Sequence, residues 1–224
     1  MSTPFLKLIQ AGSTAEIAAA VQQDPGLVAW RDPQGVSALL WSIYCGQGLV
    51  RDFLVARLAG DGTPIDIFEA AAIGDAAVLS KLLAADPARI HTLSGDGWTP
   101  LHLATAFGSP ETVALLLGSG AKVDAFSQNP QRNQPLHAAL ALGKNPRIIE
   151  VLLQHGASPN ATQAGGFTPI FSAATANRRD LAELLLGHGA NPHQRSDQGK
   201  TAADFARDRG HLELADWLDQ LPKT

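Results

Sequence analysis

The sequence predicts an all-α solenoid of about seven helix-turn-helix units joined by β-hairpin-like fingers. Three observations carry that expectation. The first is a period: a residue suited to closing a short helix recurs at Gly12, Gly46, Gly74, Gly108, Gly143, Asn177 and Gly210, with steps of 34, 28, 34, 35, 34 and 33. The second is the phrase that opens these helices, clearest in Gly97-Trp-Thr-Pro-Leu-His-Leu-Ala-Thr-Ala-Phe-Gly108. The third is an apolar run that follows each phrase, as in Val113–Leu117, Ile148–Leu153 and Leu181–Leu186. Three of these runs end in Gly-Ala, at Gly120, Gly156 and Gly189. A fixed period of this length is the signature of stacked supersecondary units.

Each element has a physical reason. A threonine ahead of proline caps free backbone N–H groups, and proline needs no donor in the first helical turn. Thr3-Pro4, Thr99-Pro100 and Thr168-Pro169 fit this pattern, Gln134-Pro135 replaces the threonine, and Ser37 and Thr201 keep the cap alone. Leu101 and Leu136 follow as part of the same structural motif. Ala104, Ala138, Ala139, Ala173 and Ala174 are small enough to let neighbouring helices approach. Gly108 and Gly143 suit a left-handed residue past the first helix, with Asn177 in the same place. Gly120, Gly156 and Gly189 suit one past the second helix. The leucine runs are the core, and Trp217 in the more charged last helix closes its end. The units are expected at about 3–32, 33–63, 64–94, 95–128, 129–162, 163–195 and 196–222, within one domain over 1–224.

A second regularity spans the first half. Gly12/Gly74, Asp24/Asp86, Pro25/Pro87, Gly35/Gly97, Leu39/Leu101 and Gly46/Gly108 are all 62 residues apart. The first two units thus read as a copy of the next two. The short step of 28 falls at Gly60–Pro64, which has no room for a full finger and is expected to bend the array.

Threonine-proline-leucine-histidine, a paired leucine run and glycine-alanine, repeated in register, resemble the ankyrin repeat. The resemblance is strong over 95–195 and continuous but degenerate over 1–94 and 196–222. It implies that His102 and His137 act structurally, bonding the capping region and the adjacent repeat. It implies a non-catalytic scaffold that binds a protein through its concave face and finger tips. Asn160 stands where some eukaryotic members carry hydroxylated asparagine. Turn stabilisation is the alternative there.

Composition limits the other possibilities. The net charge is −4 with no basic cluster, which argues against nucleic-acid binding by phosphate neutralisation. No long uncharged apolar run or signal-like N-terminus is read, so no membrane association is expected and the location is expected to be cytoplasmic. The alanine-rich, lysine-poor composition suits a bacterial source. One cysteine, Cys45, excludes an intramolecular disulfide. The histidines lack metal-ligand spacing, and neither a nucleophile motif nor a phosphate loop is present. No cofactor, metal or catalytic residue is expected, and Asp61, Asp66, Asp86 and Asp96 read as turn residues.

Carried over by register, the residues placed for partner contact are Tyr44, Ile73, Trp98, Phe107, Leu142 and Phe167. They are expected to form an exposed apolar strip. The tip positions also include Val36, Asn133 and Lys200. The finger Phe126–Gln134 is two residues longer than its neighbours and carries one charge, Arg132. The partner is expected to be an unidentified protein and the chain a monomer. The alternatives are a homodimer or self-associating array, and a groove that binds a ligand or performs chemistry.

Overall fold

The computed structural model describes residues 3–143 and 145–222. Among them fourteen α-helices follow in pairs: α1 (Pro4–Ala11) with α2 (Thr14–Gln23), α3 (Ala38–Tyr44) with α4 (Gly48–Gly60), α5 (Ile67–Ile73) with α6 (Ala76–Ala85), α7 (Pro100–Phe107) with α8 (Pro110–Gly118), α9 (Pro135–Ala138) with α10 (Pro146–Gln154), α11 (Pro169–Thr175) with α12 (Arg179–Gly187) and α13 (Ala202–Asp208) with α14 (Leu212–Asp219). The pairs are called units 1 to 7. Each first helix packs on the first helix of the next unit, from α1 through α13. Ala70, Ala71, Ala104, Ala138, Ala139, Ala173 and Ala174 are almost wholly buried in that layer. Leu79, Leu116, Ile149, Leu152 and Leu185 of the second helices are likewise buried, each contributing about 2 kcal/mol of transfer free energy. No unit could bury both of its faces alone, so the array is stabilised by stacking.

Five fingers are each closed by one backbone bond: Asp32 N–H to Val36 O, Ser94 to Trp98, Ser127 to Asn133, Gln163 to Phe167 and Ser196 to Lys200, at 2.8–2.9 Å. Only the Ser127–Asn133 finger spans two residues more than the others. Side chains brace four of them: Asp32 Oδ1 accepts from Val36 N, and Ser94, Ser127 and Ser196 accept from Trp98, Asn133 and Lys200. From unit 4 onward the fingers also bond to one another, through Gln128 N to Gly97 O, Ala164 N to Gln131 O and Asp197 N to Gly165 O. Before α5 there is no finger, as the step of 28 residues anticipates. The finger of unit 4 therefore lies directly on that of unit 2. A Cβ on Gly95 would collide with the carbonyl of Gln34.

The 62-residue copy is visible in detail. Asp24 and Asp86 each cap a 3-10 turn, Pro25–Ala29 and Pro87–His91, by accepting from the N–H two residues on. Gly12 and Gly74 both adopt the left-handed cap. Gly46 does so as well, but Gly108 does not: its φ is −81°. Glycine is required there for a different reason. A Cβ would run into the carbonyl of Ala71 in the preceding unit. Gly143 also departs from expectation, because α9 continues into a π-helical turn, Ala139–Gly143, and Gly143 is its last residue. Gly120, Gly156 and Gly189 are left-handed, with φ of 97°, 88° and 89°.

In units 3 to 6 the third residue of the first helix links units. Thr99 Oγ1 accepts from His102 N, and the His102 ring answers: Nδ1 accepts from the Thr99 hydroxyl at 2.7 Å while Nε2–H donates to Asn133 O of the next unit at 3.1 Å. Thr105 adds a buried bond to Pro135 O. His137 repeats the arrangement, receiving Gln134 N–H on Nδ1 and reaching Ala161 O and Phe167 O with Nε2. In unit 3 the same place holds Glu69, only 4% exposed, which accepts from Asp66 N and meets Arg31 of unit 2 at 3.5 Å. In unit 6 it holds Phe171, which packs on Phe167 and Phe205 at 5.8 and 4.9 Å. A phenyl ring offers no hydrogen bond. The expected cap by Thr168 is not formed: Phe171 N donates to the Thr168 carbonyl, and the buried Thr168 Oγ1 has no partner. Asn160 ties units 5 and 6, donating to Gly189 O at 2.8 Å and accepting from Asn191 N at 2.7 Å.

Two glycine substitutions separate sterics from conformation. Gly156→Ala is expected to cost about 1 kcal/mol in urea melts, through positive φ alone, because the space around it is open. Gly95→Ala must push apart two finger backbones and is expected to cost about 1–3 kcal/mol; a wild-type midpoint would contradict the finger contact.

The histidine links predict acid lability. Burial, reinforced by His137 and partly offset by the bond to Asn133, lowers His102 from 6.5 to about 4. Burial also lowers His137. The unfolded chain then binds more protons between about pH 6.5 and about pH 4, so stability is intact above this window and falls as pH drops through it, by about 3 kcal/mol for His102. In urea melts across that range, His102→Gln should be less stable at neutral pH and show a flatter pH dependence. An unchanged slope would contradict the assignment.

Candidate functional site

The missing finger brings together side chains from units that would otherwise be separated. Tyr44 ends α3 and Phe107 ends α7, two units apart, yet their ring centroids lie 5.6 Å from each other. Unit 3 between them contributes the alanine run Ala70–Ala72, which adds little bulk. The ring contacts continue in both directions. Trp41 meets Tyr44 edge-on at 6.1 Å, and Phe107 stacks with Trp98 at 6.4 Å. Trp98 also lies 5.7 Å from the His102 ring. All four aromatic rings are half-buried.

Three partly exposed carboxylates from successive units face this row: Asp32, Asp66 and Asp96. Asp32 Oδ2 accepts from Trp41 Nε1 at 2.9 Å, Asp96 Oδ1 accepts from the Ser94 hydroxyl at 2.6 Å, and Asp66 pairs with Arg31 at 2.9 Å. The Tyr44 hydroxyl is buried without a hydrogen-bond partner. Burial first, then the Asp96 carboxylate with Asp66 and Asp32 behind it, hold this phenol far above its ordinary value, so it stays protonated. Burial and Asp66 also raise Glu69, against the lowering influence of Ser37, the Asp66 backbone and Arg31.

The strip read from the sequence is thus not uniformly exposed. Tyr44, Trp98 and Phe107 come together. Ile73 is half-buried beside them and lines, with Phe107, Ile43 and Gln47, a groove of about 200 Å³. Leu142 is the exposed member, at 46%, on the π-helical turn. Phe167 is engaged in the contact of units 6 and 7, 4.9 Å from Phe205. The finger positions Val36 and Asn133 are buried, contrary to expectation, because each finger folds back onto the helix start. Arg132 is exposed on the longer finger with φ of 45°, its guanidinium 5.9 Å from the Phe126 ring. Two contributors were missed in the sequence. Trp41 lies inside a helix away from the tip positions, and the place of Asp32 becomes clear only where the fingers of units 2 and 4 meet.

Among the described residues no cluster of three His, Cys, Asp or Glu side chains could hold a metal, and no helix is long and apolar enough to cross a membrane. Burial raises the Cys45 thiol, the opposite of nucleophile activation. His155 donates to Val151 O at 2.8 Å, and His193 and His211 bond to Leu221 O and Thr175 O.

Comparison with known proteins places these features in a family. A profile described as ankyrin repeats in three copies matches residues 67–163, and one described as ankyrin repeats in many copies matches 152–206. The chain is 38% identical over 95 residues to the serine/threonine-protein kinase VIK of Arabidopsis thaliana, covering 42% of this chain and 21% of that protein. It is 41% identical over 83 residues to a putative ankyrin repeat protein of Fowlpox virus, covering 37% of this chain and 24% of that one. Both relatives are several times longer than the matched segment. The cyclin-dependent kinase 4 inhibitor B of Bos taurus is 33% identical over 125 residues, 55% of this chain and 92% of its own length. The chain is a member of the ankyrin-repeat family, whose repeats generally mediate protein–protein contact rather than catalysis.

Proposed function

We propose that this chain is a non-catalytic scaffold that binds a protein partner through the face of its first helices and the adjoining finger tips, with the contact centred on units 2 to 4. The observation that carries the proposal is the row Trp41–Tyr44–Phe107–Trp98, in which two units converge and leave four aromatic rings half-exposed on one face. Large half-exposed aromatics are the side chains that dominate binding hot spots, because they bring much apolar area at little entropic cost. Ile73 and the groove beside Phe107 extend this surface. Leu142 and Arg132 are secondary contact points. The partner is a protein and not a nucleic acid or a membrane, in keeping with the acidic balance of the chain.

Because Trp98 and Phe107 also pack on each other, their removal affects folding as well as binding. The variant Trp98→Ala/Phe107→Ala should lose about 1–3 kcal/mol in urea melts while keeping a cooperative transition. Used as bait in lysate of the native cell, it should fail to retain the protein that the wild type captures. Equal recovery by a folded double variant would reject this face as the binding surface.

A further inference from the structure

We infer that the aromatic row of units 2 to 4 accepts arginine side chains from a partner segment; this rests on the reading that this face is the binding surface. Asp32, Asp66, Glu69 and Asp96 gather at the row, and Arg31 is the one cation that pairs with any of them among the described residues. It is engaged by Asp66 at 2.9 Å and Glu69 at 3.5 Å. Asp32 is satisfied by neutral donors: the backbone N–H groups of Gln34 and Val36 and the Trp41 indole, all at 2.9 Å. Asp96 has the Ser94 hydroxyl. Neither Asp32 nor Asp96 meets a cation among the described residues, so the surface carries an uncompensated negative charge beside ring faces.

A guanidinium answers both features. Its plane stacks on an aromatic face, and its fork of N–H donors matches a carboxylate in a way an ammonium does not. The chain itself uses this pairing elsewhere: the Arg179 guanidinium lies 4.5 Å from the Trp217 ring centroid. Burial and the neighbouring Asp96 carboxylate keep the Tyr44 phenol protonated, so its ring adds no charge of its own to the row. An acidic or uncharged segment would meet repulsion or gain nothing from these carboxylates.

The test uses short Gly/Ser peptides carrying arginines, with lysine and citrulline counterparts, titrated against the whole chain while tryptophan fluorescence is followed. The arginine peptide should bind, more weakly as salt rises, and the other two should bind much less. Asp96→Asn should weaken arginine-peptide binding about tenfold, the loss of one charge-assisted contact; Asp32→Asn should do the same, with a urea melt confirming its fold because Asp32 also braces its finger. The control Glu16→Gln/Glu213→Gln lowers the negative charge on the far surface and should leave binding unchanged. The inference is overturned if the arginine peptide does not bind. It is also overturned if the lysine or citrulline peptide binds as tightly, or if the control weakens binding as much as Asp96→Asn. If the peptides fail while Trp98→Ala/Phe107→Ala still abolishes partner capture, the binding face stands and the arginine assignment falls.

Discussion

Every first helix in this array begins with backbone N–H groups that have no partner within the helix, and in the middle of the array the groups around that cap also tie one unit to another. In units 3 to 5 the third helical residue bonds the cap and reaches a neighbouring unit at once. His102 and His137 do so with two ring nitrogens, one turned back to the cap and one forward to a carbonyl of the following unit. Glu69 turns back to Asp66 and meets Arg31 of the unit before it. Phe171 instead joins a three-ring cluster with Phe167 and Phe205, and the Thr168 hydroxyl at the cap has no partner. The stacking of the leucine cores depends on these links to keep adjacent units in register.

The other organising feature is a gap. A solenoid with evenly spaced fingers keeps unit 2 away from unit 4. Here the finger before α5 is missing, Gly95 lets the flanking fingers touch, and the alanines of α5 let Tyr44 and Phe107 meet. The same event concentrates four aromatic rings and four carboxylates on one face. The short junction between units 2 and 3 thereby creates the most distinctive surface of the molecule.

Much of this was legible in the sequence because it rests on local chemistry. The period, the caps at Thr3, Ser37, Thr99 and Thr201, the left-handed glycines after the second helices and the two-residue extension of the Ser127–Asn133 finger all follow from residues close in the chain. The short step of 28 residues marked the junction, but not its consequence, since contact between units 2 and 4 depends on how two fingers meet in space. Gly108 shows the same limit: its position in the period suggested a left-handed cap, whereas its actual requirement is the nearness of Ala71 in another unit. Burial of Val36 and Asn133 and the engagement of Phe167 were likewise set by tertiary packing. Register alone placed these residues at tips.

Direct contact between Tyr44 and Phe107 couples units 2 and 4 energetically across unit 3. A double-mutant cycle on Tyr44→Leu and Phe107→Leu, measured by urea unfolding, tests this most directly. Direct ring contact predicts a coupling free energy of about 0.5–1.5 kcal/mol. Additive effects, with no coupling beyond error, would contradict the contact and the surface built on it.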